Sequence, residues 1–130
     1  MYHIEPQTAG SKKRVAAWVH HACACAPALG DSRRPATEPH PWWAQLDVHM
    51  QTPNRRRPRV ALGTARAISD TGLELLCRQP LPLYSRIVIC LAAETEGVRG
   101  KVTSRTQTLG GFILQVEFEF EQADVGIVAA

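Results

Sequence analysis

The stretch GFILQVEFEF, residues 111 to 120, constrains the fold of this 130-residue chain more than any other segment. Phe112, Leu114, Val116, Phe118 and Phe120 alternate with Ile113, Gln115, Glu117 and Glu119. Successive side chains of a strand point to opposite faces, so this order predicts one buried and one wetted face. A strand with one such face needs both hydrogen-bonding neighbours and a second apolar layer, and the preceding sequence supplies candidates for both. QLDVHMQ alternates Leu46, Val48 and Met50 against Asp47, His49 and Gln51. A second strand is expected over Arg59 to Ile68, and Leu73, Leu75 and Cys77 form one face of a third. RIVICLA is apolar on both faces and is expected to lie centrally. Val98, Gly100, Val102 and Ser104 oppose Arg99, Lys101, Thr103 and Arg105 in a fifth strand.

Six short strands separated by turn signals point to an all-β fold, a six-stranded antiparallel β-barrel spanning residues 41–130. Closure is the economical arrangement, because an open meander would leave two edges able to pair with other chains. Residues 1–40 have a different composition. A short helix is expected from about Lys12 to Ala26, with Val15, Trp18, Val19 and Ala22 near one face. The GDSRRPATEPHP segment after it reads as linker, so the extension is expected to be flexible with a short helix.

Charge is local. The net charge is +3, and four arginines within RRRPR, residues 55 to 59, exceed that total by themselves. A nucleic-acid binder would spread basic charge over a face, and the glutamates of the last strand would repel a phosphate backbone. The knot suits a small anion better, and no nucleic-acid partner is expected. No apolar run approaches the roughly 18 residues of a membrane span, so no membrane association is expected. Four cysteines at irregular spacing argue against a disulfide framework and for a reducing, cytoplasmic location. Cys77 and Cys90 read as small buried apolar residues. The HHACAC run lacks the ligand spacing of a structural zinc site, and no metal is expected. No nucleophile elbow or paired-carboxylate signature is visible, so the chain is expected not to be an enzyme. Trp42 and Trp43 read as core or cap, or as an exposed patch.

RRRPR followed by AISDTG carries a resemblance. Arg55-x-x-x-Arg59 matches an RxxxR element, and Ser69 with Gly72 matches the last positions of [D/N]xSxxG. Together with GLELL, RIVICL, VRGKVTSR and LQVEFEF in that order, the chain resembles the PilZ family over residues 42 to 121. The resemblance implies a β-barrel receptor for cyclic di-GMP that changes the activity of a downstream protein. It also implies that arginines wrap over the ligand while the second motif meets it from the barrel surface. Arg55 and Arg59 would take the first role, with Ser69 and the backbone at Gly72 in the second, and Arg56 in the same cluster is a further ligand-binding candidate. Guanidinium groups suit that ligand, since they bind phosphate oxygens and guanine edges in bidentate fashion. Gly72 also has a structural reading, as a turn needing positive φ or close backbone approach.

Two departures keep a second expectation open. Ala67 stands where the motif has an acidic or amide side chain, and only seven residues separate Arg59 from Ala67. Seven residues make one strand and no hairpin, although the family places two strands between its motifs. The alternative is therefore a degenerate PilZ-like domain that binds no nucleotide and acts as a protein–protein interaction module.

Overall fold

A computed structural model describes residues 7–25, 39–50 and 59–120, the side chains of Cys25 and Arg59 excepted. One helix, α1 (Ser11–Cys25), precedes six strands: β1 (His40–Met50), β2 (Arg59–Ile68), β3 (Gly72–Cys77), β4 (Arg86–Leu91), β5 (Gly97–Thr108) and β6 (Gly111–Phe118). The strands close into an antiparallel barrel in the order β1-β2-β3-β6-β5-β4. The expected fold class is the observed one.

Alternation decides the interior. Leu46 and Val48 of β1, Leu73 and Leu75 of β3, and Leu114, Val116 and Phe118 of β6 are buried in one apolar cluster. Fully burying side chains of this size stabilises by about 1.5–3 kcal/mol each. Small residues on β2, Ala61 and Ala65, occupy inward positions with Gly63 between them. A methyl group at Gly63 would meet Leu75 Cδ1 at 2.7 Å, so Leu75 fills the space the glycine leaves. Register shifts lie between Pro41 and Ala44, Ala65 and Ala67, and Val102 and Ser104. Such bulges bend and twist a strand, which a six-stranded barrel requires for closure. The third shift takes Ser104 out of the inward row expected for it, and Ser104 is exposed.

α1 sits in one mouth of the barrel. Val15, Trp18, Val19 and Ala22 recur at helical spacing, are buried, and belong to the barrel's own core cluster. Trp18 stacks on Trp42 at the start of β1, with ring centroids 5.6 Å apart and planes at 27°. The indole N–H of Trp42 donates to His21 Nδ1 at 3.2 Å. Arg14 fastens the helix to the β4–β5 hairpin: Nη1 donates to the Gly97 carbonyl at 2.5 Å, and Nη2 lies 3.3 Å from Glu96 Oε2. Gln7 adds a parallel bridge to Glu96 on the same hairpin.

This arrangement explains the doubly apolar β4. Ile87 and Ile89 face the core, whereas Val88 and Cys90 are buried outside the core cluster, beside the hairpin held by Gln7 and Arg14. No strand of a closed barrel is central in the open-sheet sense. β4 is apolar on its outer face for a different reason.

Candidate functional site

The barrel has two mouths, and strand direction decides what stands at each. β1 runs from the helix-bearing mouth at His40 to the opposite mouth at Met50, where Met50 pairs with Arg59. β2 then returns, and Ile68 pairs with His40. The Ser69–Thr71 bend therefore lies at the helix-bearing mouth, while β2 begins at the other. Ten residues of strand separate them, roughly 30 Å at 3.3 Å per residue.

The bend is well built. The Ser69 N–H donates to the Gly72 carbonyl at 2.8 Å, and the Thr71 N–H donates to Ser69 Oγ at 3.3 Å. Ser69 Oγ also lies 3.2 Å from Thr71 Oγ1 and 3.4 Å from the Gly72 carbonyl oxygen. This is a Ser/Thr turn, in which the side chain substitutes for a backbone partner. Ser69 is buried, and its hydroxyl is engaged by its own bend. Gly72 begins β3 against Glu117 with no positive φ. A Cβ there would collide with the Val116 carbonyl oxygen, so close backbone approach is what demands glycine. The Thr71 carbonyl accepts from Phe118 N–H at 2.8 Å and ties the bend to β6.

An open groove of about 490 Å³ lies beside this bend. Ser69, Thr71 and Gly72 of the bend line it together with Thr103 of β5 and Gln115 and Glu117 of β6. Pro39, immediately before β1, also lines it. Glu74 also lines it, paired across the sheet with Ala67, and accepts a 3.0 Å bond from Gln115 Nε2. The groove thus offers hydroxyls, one amide and two carboxylates, and among the described residues no Lys or Arg lines it. In the adjoining bend, Asp70 Oδ1 is buried without a hydrogen-bond partner among the described residues.

Of the residues singled out in the sequence, Ser69 and Gly72 are brought together. Arg59 is placed at the far end of β2, and Arg55 and Arg56 lie outside the described residues. The tryptophan pair divides: Trp42 is a buried cap over the core, and Trp43 is 69% exposed under the Arg66 guanidinium. Cys77 and Cys90 are buried thiols, as their strand positions indicated. Sequence reading missed Glu74, Thr103, Gln115 and Glu117 as groove residues. Each looks like an ordinary wetted strand position, and only the β3-β6-β5 neighbourhood unites them.

A second polar contact lies at the same mouth. Cys23 Sγ, exposed near the end of α1, is 3.6 Å from Nδ1 of the buried His40. Among the described residues, no group of three or more His, Cys, Asp or Glu side chains could hold a metal ion. None of the described helices is long and apolar enough to cross a membrane. No protein-family model and no curated protein sequence matches the chain.

Proposed function

We propose that the chain is a non-enzymatic, PilZ-like signalling barrel that acts through a protein partner, without using Arg55–Arg59 and the Ser69–Gly72 bend as one cyclic di-GMP grip. One observation carries this reading: Arg59 and Ser69 stand at opposite ends of β2. A strand of that length separates them by more than an arginine side chain and a cyclic dinucleotide can bridge. Two further features support it. The Ser69 hydroxyl already has partners within its bend, so the Ser-x-x-Gly pattern is explained by the turn. The groove carries Glu74 and Glu117, which disfavour a dianionic guest.

A second reading, direct binding of cyclic di-GMP in the groove, is favoured by the groove's lining, which includes Ser69, Gly72 and Pro39. Its phosphate ligands would have to be cations other than Arg59. Isothermal titration of the folded chain with cyclic di-GMP separates the two. The expected result is no saturable heat up to roughly 100 µM ligand, a limit corresponding to about −5.5 kcal/mol. Saturable binding that survives Arg55→Ala/Arg59→Ala but is lost when Thr103→Trp fills the groove would move the assignment to the groove. Binding abolished by the arginine double variant would overturn the proposed reading altogether.

A further inference from the structure

A closed barrel has no free strand edge, so another chain must dock on a face. The outer face of the β1–β2 ribbon carries an unusual set of groups for that purpose. Leu62 is 75% exposed and Trp43 69%, and Val60 extends the same row. Arg66 holds its guanidinium 5.9 Å from the centroid of the Trp43 ring. Asp47 pairs directly across from Leu62, and Gln45 across from Thr64. Trp and Arg are the residues most often found to dominate association energies, and here they are already stacked on one another.

The charges on this ribbon are arranged in opposition about its middle. Arg66 and Trp43 lie on one side of the Gln45–Thr64 pair, and Asp47 and Leu62 on the other. A twofold axis lying in the contact plane and crossing the strands at Gln45–Thr64 exchanges the two sides. It sets the guanidinium above Trp43 of one copy against Asp47 of the other, and the Trp43–Arg66 stack against Leu62. The same contact is made twice, as an isologous interface requires. Turning one copy end for end would instead gather both Arg66 side chains at one end of the contact and set each Asp47 against Leu62, with no opposite charge to meet. Asp47 Oδ2 accepts the Ala93 N–H at 3.3 Å, which uses one of its two carboxylate oxygens. The outer rows of β3 and β6 offer no such match, because these strands carry Glu74 and Glu117 and no Lys or Arg.

We propose that the outer face of the β1–β2 ribbon is the docking surface for a second copy of this chain, in the antiparallel orientation that pairs Arg66 with Asp47. This goes beyond the functional reading above and is independent of it, since it uses a different face and no ligand. The ribbon from Trp43 to His49 is about 20 Å long. That is small for an interface, so association depends on concentration in the micromolar range. Sedimentation equilibrium from roughly 1 to 500 µM should show the mass rising from one chain toward two. Arg66→Glu and Asp47→Arg should each weaken association by about 100-fold, through two like-charge contacts per dimer. An equimolar mixture of those two variants should regain it. In the mixed dimer the introduced glutamate of one copy meets the introduced arginine of the other, and the remaining native Arg66 meets the remaining native Asp47. Leu62→Glu, an exchange at a side chain that points into solvent, should be monomeric with an unchanged circular dichroism spectrum. A chain monomeric across the whole range, a mixture that stays monomeric, or Leu62→Glu dimerising like the parent would each overturn the proposal.

Discussion

Gly72 shows how one residue can match a ligand motif and still be explained by packing. Its Cα lies so close to the Val116 carbonyl that no side chain fits, whereas nothing lies within 4 Å of a Cβ built at Gly110. Gly72→Ala is therefore expected to destabilise the fold by about 1–3 kcal/mol. Gly110→Ala should stay within about 0.5 kcal/mol of the parent. Urea unfolding of the two variants checks the contrast. Cys90 makes a second residue-scale case. Burial, then the nearby Asp47, push its thiol up to about 11 from 9.0, against an opposing pull from Arg14. A raised thiol pKa means that the unfolded chain ionises first as pH rises. Its contribution is complete below about pH 9 and fades toward pH 11. Across that window the parent should lose more stability than Cys90→Ala, measured by urea unfolding at successive pH values. Burial of Cys90 was legible in RIVICL. The charges of Asp47 and Arg14 around it were not, because they arrive from β1 and α1.

At the scale of elements, the strands were legible and their neighbours were not. A period of two marks β1, β3 and β6 without further information, since alternation follows from backbone geometry alone. The same geometry puts Trp42 and Trp43 on opposite faces, but it cannot say which is buried. That is decided by α1, which brings Trp18 onto Trp42. Trp18→Ala removes the largest side chain joining helix to barrel and is expected to cost about 3–5 kcal/mol. Chemical denaturation followed by far-ultraviolet circular dichroism measures this. A loss below about 1 kcal/mol would mean that α1 contributes little to the barrel. The four apolar positions of α1 were visible at helical spacing. That they complete the barrel's core rather than a surface stripe depended on where residues 11–25 sit.

The whole molecule is an antiparallel barrel whose two mouths differ chemically. One holds α1, the Ser69–Thr71 bend and the nearby groove, and the other holds the start of β2 at Arg59. RRRPR and SDTG look adjacent along the chain, with a few residues between them. Because residues 59–68 form one extended strand, Arg59 stands at the opposite end of β2 from the Ser69 bend. The titration with cyclic di-GMP tests the functional meaning of this arrangement, and sedimentation tests the face that the closed sheet leaves outward. Strand periodicity, turn chemistry and the apolar helical stripe are local consequences of side-chain spacing, so residue order alone determined the all-β class and the position of each element. Which polar groups share a groove, which tryptophan is covered and which motif halves meet depend on strand direction and closure. Those relations join residues distant in sequence, and only the tertiary structure could decide them.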